Sequence, residues 1–575
     1  YNVNMSGGND RGSYYSGIGY NATDGLAQTT YYKRLSFLFN ASYKITDWLT
    51  SKSSVNFTRT KYRSMTATNS NESSYFGRIM STPPTVRFED EDGNMLLGNS
   101  TGDGNQNFQN DKFLRDYEND KLTLTQGFSA KLLPGLTANV NANWYYNEDV
   151  NESFNKDYKT NQAGTSVNTT RSSSAAFYRY FTQTYNATLN YDKDFLGENH
   201  IDVMVGTEYY DRAYKAFTAS GSLAPTDDFQ KLGLTTTDAG KRDIDSAHSQ
   251  YRILSYFGRV NYDYAGKYLL SATFREDGYS ALLNNRWGFF PGVSAGWVFG
   301  KENFVREAMP WLSFGKFRMS YGVNGNASGI GAYTLQGSYS SLKYDGKSGF
   351  YINTLPNPSL RWERTNTFET GIDVSFLDNR LNANITYYNR LTDDKYAALS
   401  LPSTTGYSSV QNNNGKFRNK GLEFELSAKV LQKKDLRWDL KANISYNKNI
   451  VVALPDNGIE RNRQNGSEIY TGNGTETIWV GGYQEGQEPG CIVGYVAEGI
   501  FRSESDFPSN YVVQSGNSNG KYQYTPAEYA KLTPAQQNNA ILLAVGDIKW
   551  KDMNNDGVFE LFIGWSLFEA KTSRV

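Results

Sequence analysis

Near its C-terminal end the chain carries Asp552, Asn554, Asp556 and Gly557, followed by Glu560. These stand at positions one, three, five, six and nine of a calcium-binding loop, where oxygen ligands alternate along the chain and a glycine allows the sharp turn. Position twelve of such a loop supplies a bidentate carboxylate, and here it is Ile563. The spacing leaves two readings open, a weak structural calcium site and a solvated Asx-rich turn. One cysteine, Cys491, and two histidines, His200 and His248, exclude a disulfide framework and any Cys/His-rich zinc site. His200 follows Gly197-Glu198-Asn199 in a turn and His248 sits in the polar run 245–249, so neither has the neighbours of a general acid or base. Carboxylates are plentiful, but no pair stands apart as a glycosidase dyad would. The expectation is a protein that is not an enzyme and holds no cofactor beyond that calcium ion. Aromatics in polar connections, Tyr333, Tyr339, Tyr344, Tyr351 and Tyr407, offer flat apolar faces with polar rims. Such rings stack on sugars or peptide side chains, and equally well pack loops on one another.

The composition limits what could position these residues. Lys plus Arg is 58 against 59 Asp plus Glu, a net charge of -1 over 575 residues, and no basic block follows a phosphate backbone. Nucleic acid is thereby excluded as an expected partner. Mean hydropathy is -0.62, yet aromatics reach 15%. A disordered chain is poor in aromatics, and a chain with membrane helices carries apolar runs of about 18 residues, which this one lacks. Two classes remain: a soluble protein of aromatic-rich strands, or one whose membrane surface is assembled from alternating residues.

Period two is the dominant pattern. Trp438, Leu440, Ala442, Ile444 and Tyr446 alternate with Arg437, Asp439, Lys441, Asn443 and Ser445. Leu422, Phe424, Leu426, Ala428 and Val430 alternate with Glu423, Glu425, Ser427 and Lys429, and the same holds around 136–144, 368–376 and 381–387. These are strands with one apolar and one polar face. About sixteen such segments lie between Tyr1 and Val452. Tight connections at 44–48, 133–136, 195–200, 265–267, 377–380 and 432–435 carry turn residues. Between them fall long polar connections, roughly 61–120, 148–179, 212–249, 324–364 and 392–418. Short turns at one end and long loops at the other are the asymmetry of an outer-membrane barrel, which a sandwich has no reason to share. Strand length agrees: Trp438 to Tyr446 spans about 26 Å at about 3.3 Å per residue, or about 20 Å of height at a tilt near 40°. On this reading the apolar series faces lipid and the charged series faces a wet lumen.

The run Ser255–Phe304 and the segments KFRMSYGVNGN (316–326), NPSLRWERTNTFETGID (357–373), NNGKFRNKGLEFEL (413–426) and GDIKWKDMNNDG (546–557) together resemble TonB-dependent outer-membrane transporters of the SusC/RagA type. The opening, YNVNMSGGNDRGSYYSGIGY, is similar to the strands that follow the plug in that family. Local chemistry accounts for several of these residues. Gly278 is expected at a strand end with positive φ, Pro291-Gly292 at the start of a strand, and Asn419-Lys420-Gly421 leading from a long loop into the strand at Leu422.

The resemblance implies an all-β, antiparallel transmembrane β-barrel of about 22 strands in a full family member, with about 16–17 present here and long extracellular loops. Residues 1–560 are expected to be the barrel, lacking the N-terminal plug and the C-terminal strands and so unable to close alone, with 561–575 an aberrant tail from a frameshift or truncation. It further implies location in the outer membrane of a Gram-negative bacterium and active import of a large nutrient, an oligosaccharide or oligopeptide. The implied partners are a SusD-like lid lipoprotein, the TonB-ExbB-ExbD complex acting through the missing N-terminal region, and the lipid bilayer. The alternatives are a soluble surface-exposed β protein that binds glycans, and a passive porin. Thr525-Pro526 and Thr533-Pro534 each pair an N-cap threonine with proline at the first helical position, predicting two short helices in an extracellular loop.

Overall fold

The computed structural model describes residues 1–64, 107–159, 167–345 and 347–465, with short stretches between 85 and 105 and between 467 and 566. Where the sequence alternates, the chain pairs antiparallel with its own neighbour, because a tight hairpin brings the next strand alongside at little entropic cost. The first eight strands are β1 (Asn2–Asn9), β2 (Gly12–Asp24), β3 (Tyr31–Lys44), β4 (Leu49–Arg63), β5 (Phe113–Leu133), β6 (Leu136–Asn155), β7 (Ser173–Phe195) and β8 (Asn199–Gly221). Then follow β9 (Arg242–Tyr264), β10 (Tyr268–Tyr279), β11 (Trp287–Trp297), β12 (Leu312–Asn326), β13 (Glu363–Phe376), β14 (Leu381–Ser400), β15 (Ser409–Gln432) and β16 (Arg437–Ala453). They form one 16-stranded sheet in strict chain order. The strand count expected from alternation is therefore met.

The tight turns all fall at one end, and their backbone explains their residues. Leu377, Asp378 and Asn379 take φ of 57°, 56° and 60° between β13 and β14. Gly135, at φ 79°, also leaves no room for a side chain, since a Cβ would stand 2.4 Å from the Asp192 carbonyl oxygen.

The opposite end differs from expectation in extent. Strands β7, β8 and β9 have 23 residues each and β15 has 24. At about 3.3 Å per residue, 23 residues reach about 75 Å, far more than an apolar band of about 25 Å requires. Much of 148–179, 212–249 and 392–418 is consequently strand, leaving connections of only 156–172, 222–241 and 401–408. Beyond the lipid both faces meet water, so the apolar alternation vanishes while the hydrogen-bond ladder persists. The same effect hid Asn419-Lys420-Gly421, which lies inside β15 rather than at its start.

Two glycine and proline expectations are also corrected. Gly278 is an ordinary strand residue whose Cβ would strike the Trp287 ring at 2.8 Å, so it is small because an indole crosses it and not because φ is positive. Pro291 lies within β11, paired with Phe274, next to Gly292 where pairing with β12 begins. A proline with no N–H to give is tolerated where a strand's second neighbour ends.

Register carries each apolar series across the sheet. One row runs Val203, Val260, Ala272, Val293, Tyr321, Phe368, and another Phe317, Ile372, Ile385, Phe424, Ile444. Most of these side chains are exposed, Val293 at 58% and Ile444 at 71%, with Val203, Phe368 and Phe424 half-buried among them. An apolar surface of that extent has no place in water and matches lipid.

Candidate functional site

Residues between the lipid-facing ones form the inner wall. One row reads Asp202, Asn261, Ser271, Ser294, Ser320, Glu369. Its members bind one another: Asn261 donates to Asp202 at 2.8 Å and Ser271 to Asn261 at 2.7 Å. Arg318 is a hub on β12, donating to Glu369 at 2.8 Å and to Asn384 at 3.3 Å, and pairing with Asp373 at 3.3 Å. Gly371 stands across from Arg318, and a Cβ there would lie 2.9 Å from the guanidinium carbon. Arg275 is a second hub, donating to Asp277 at 2.7 Å, Ser255 at 2.9 Å and Glu208 at 3.1 Å. A wall built this way is wet, and its charges are largely satisfied by their own neighbours.

Towards the long-loop end the inner wall turns aromatic. Tyr62 and Tyr117 stack with centroids 4.7 Å apart, and Tyr180 and Tyr214 lie 4.8 Å apart with the Arg212 guanidinium 5.1 Å above Tyr180. Tyr210, Tyr251 and Tyr279 continue the arc at 5.9 and 5.4 Å. Phenol faces with hydroxyl rims, arranged along one wall, suit a ligand that presents both apolar faces and hydroxyl or amide groups. The sequence held a signal for them. In β8 the apolar phase runs through Val203, Val205 and Tyr209, whereas Tyr210 and Tyr214 sit in the opposite phase with Arg212 between them.

The mouth is held by packed loops. Tyr279, Leu282, Phe290, Val323, Ile330, Leu335, Leu360 and Trp362 form a buried cluster where the ends of β10, β11 and β12 meet the loops. The Tyr279 hydroxyl donates to the Ile330 carbonyl at 2.9 Å, and burial pushes its phenol up to about 12. Trp362 donates to the Arg286 carbonyl at 3.0 Å. Asn413 accepts from the Arg361 N–H at 2.8 Å and donates to the Arg361 and Asp394 carbonyls at 2.9 and 2.7 Å. Glu363 accepts from the Asn326 side chain and the Tyr396 N–H, both at 2.8 Å. Segments 316–326, 357–373 and 413–426, far apart in sequence, thus meet as one clamp at the long-loop end of the sheet. A second clamp joins loops 156–172 and 222–241, where Arg171 donates to Asp227 at 2.8 Å and pairs with Asp157. Burial pushes the Asp227 carboxyl up, but hydrogen bonds with Asp157 and Arg171 outweigh it and hold it below the usual carboxylate range. Asp157 is raised, by burial first and then by its carboxylate neighbour.

The candidates named from sequence fare differently. Asp552, Asn554, Asp556 and Glu560 lie outside the described residues. Tyr339, Tyr344 and Tyr351 sit on an exposed hairpin, Ser338–Tyr344 with Lys347–Thr354, and Tyr333 precedes it, its ring 6.1 Å from that of His248. Tyr407 is half-buried in the 401–408 turn, so these rings do not converge on one site. His200 lies in hydrogen-bond contact with Asp194 at 2.8 Å and 3.6 Å from Asp192 at the exposed tight-turn end, a contact within one hairpin. The two short helices form as expected, Pro526–Tyr529 and Pro534–Gln537, each capped by its threonine.

A family model described as TonB dependent receptor-like, beta-barrel, matches residues 67–530. A TonB-dependent receptor of Formosa agariphila is 26% identical over 572 residues, covering 96% of this chain and 52% of that protein. The TonB-dependent receptor SusC of Bacteroides thetaiotaomicron is 32% identical over 289 residues, 48% of this chain and 28% of SusC. This chain therefore spans about half, or less, of the length of these curated relatives. A solved structure of the RagAB peptide importer in the open-open state superposes with a TM-score of 0.73 at 22% identity, covering 92% of this chain and 56% of that one, a likeness of fold.

Proposed function

The chain belongs to the TonB-dependent receptor-like β-barrel family, outer-membrane receptors and not enzymes, and from that premise we propose that it forms the wall of an active importer for a large nutrient. The observation that carries the reading is the contrast between its two faces. The outer is apolar at bilayer height, and the inner is a polar wall that becomes a tyrosine arc at the mouth. The cargo class is an oligosaccharide or oligopeptide, which has the mixture of apolar faces and hydrogen-bonding groups that the arc can meet. A SusD-like lipoprotein is the lid, as the relation to SusC and the likeness to the RagAB importer suggest. Energy comes from TonB, ExbB and ExbD acting on a plug domain, without which a lumen of this size would leak.

Uptake of fluorescent oligosaccharide and oligopeptide pools by cells carrying the intact gene, its deletion, or the gene without TonB tests this reading. Uptake that needs both the gene and TonB is the expected result. Uptake that needs the gene and persists without TonB would replace the importer with a passive porin.

A further inference from the structure

Above the lipid band the outer wall carries a basic pair beside a shallow concavity. On β7 the outward residues run Tyr191, Leu189, Ala187, Tyr185, Gln183, Phe181 and then Arg179. The ten steps from Tyr191 to Phe181 rise about 25 Å at about 3.3 Å per residue and a tilt near 40°, the height of the apolar band. Arg179 is thus the first outward charge on β7, inside a headgroup region that begins on β8 and β9 with the outward Asp211–Arg252 pair at 3.0 Å, two rows lower, and its partner on β8 is Lys215. The same row holds Glu148, Asp120 and Arg59 on the other side. There the charges are answered: Arg59 pairs with Glu118 at 3.1 Å and with Asp120 at 3.6 Å, and Glu148 accepts from the Tyr146 hydroxyl. Arg179 and Lys215 have no ion-pair partner within 4 Å among the described residues; Arg179 meets only the Tyr146 hydroxyl, which is also held by Glu148. They flank a concavity of about 360 Å³ floored by Tyr146, Phe181 and Ala213. One row higher, Phe177 pairs with Phe217, and Arg179 stands 5.9 Å from the Phe177 ring.

We infer that Arg179 and Lys215 bind the phosphate of a phosphorylated glycolipid in the outer leaflet, with Phe177 and Phe217 against its sugar and Tyr146 and Phe181 against the upper acyl chain. Each part of that ligand is matched in order of height. A guanidinium and an ammonium suit a phosphate, the former by its planar fork. An aromatic ring above suits a sugar face, and an aromatic girdle below suits the interface. A free phosphate shares the anionic chemistry but has no use for either pair of rings.

Protein purified from outer membranes in detergent can be titrated in native mass spectrometry with bis-phosphorylated lipid A, with the same lipid stripped of phosphate, and with inorganic phosphate. Wild type is expected to bind the phosphorylated lipid at least tenfold more tightly than the stripped one. Arg179→Glu with Lys215→Glu is expected to abolish that preference, and Arg179→Lys with Lys215→Arg to keep it. Heat-modifiable gel migration reports whether each variant is folded, and the single change Arg179→Gln, expected to weaken the preference, serves if the double reversal does not fold. Equal affinity of wild type for the two lipids, or an unchanged preference in the charge-reversed protein, would overturn the inference. Inorganic phosphate displacing the lipid at equimolar concentration would assign the site to a free anion and overturn it as well.

Discussion

The clamp over the mouth can be tested at Asn413. Its side chain is buried and makes three hydrogen bonds to backbone groups of Arg361 and Asp394, at 2.7 to 2.9 Å. Asn413→Ala removes all three and leaves one N–H and two carbonyls to find water. At a net worth of about 1 kcal/mol each, the local loss is about 3 kcal/mol. That corresponds to about a 150-fold rise in the opening constant of the clamp, at about 1.4 kcal/mol per decade. Amide hydrogen exchange on the protein in detergent reads it directly. Amides of 359–362 and 394–397 are expected to lose about two decades of protection, while those of the membrane-height strands keep theirs, because local opening does not require the ladder to part. Asn357→Ala is the internal comparison. It removes one bond across loops, to the Gln411 carbonyl at 2.7 Å, and two exposed bonds inside its own turn, from the Ser359 N–H and hydroxyl, which water replaces, so it is expected to cost less than one decade across the clamp. Equal effects of the two substitutions, or a loss of protection spread over the whole sheet, would refute the argument that Asn413 locks the mouth locally.

Gly371→Val should displace the Arg318 guanidinium, since a Cβ would fall 2.9 Å from it and 2.8 Å from the Ile385 carbonyl; a destabilisation of about 1–3 kcal/mol is expected as a lower midpoint of heat-modifiable migration. Tyr180→Ala with Tyr214→Ala should raise the concentration for half-maximal uptake about tenfold, at about 0.5–1.5 kcal/mol per aromatic contact, without changing barrel migration. The Arg171 clamp should respond to pH in both directions. Asp227, whose value is lowered, contributes stability that is lost as pH falls through that value, and Asp157, whose value is raised, contributes stability that is lost as pH rises through its own. Exchange protection of loop 156–172 is therefore expected to peak between the two values, and a monotonic rise with pH would count against the paired carboxyls.

Much of the fold was legible because alternation is local. Whether Leu440 and Ile444 share a face depends only on the strand they occupy, so the lipid face, the polar wall, the tight-turn end and sixteen strands follow from period two alone. The strand ends were not legible, because above the lipid the strict apolar–polar alternation breaks off and 23-residue strands read as loops. The calcium spacing at Asp552 to Glu560 lies outside the described residues, and the loop tyrosines chosen from sequence do not converge. The inner arc was encoded as a change of phase, Tyr210 and Tyr214 falling out of step with Val203 and Val205, and the same reading finds Arg179 one step beyond Phe181.

The sequence by itself determined that this chain is a barrel wall with lipid on one face and water on the other, and the quoted segments pointed to its family. Only the tertiary structure decided which distant residues meet. Asn413 with Arg361, Arg318 with Thr386, and Arg179 with Lys215 are separated by 52, 68 and 36 positions along the chain. Their meeting is fixed by the register of strands and the packing of loops, and a one-residue slip of any strand would move its whole set to the other face. Such pairings are set by the sum of many ladders at once, which no local window of sequence contains.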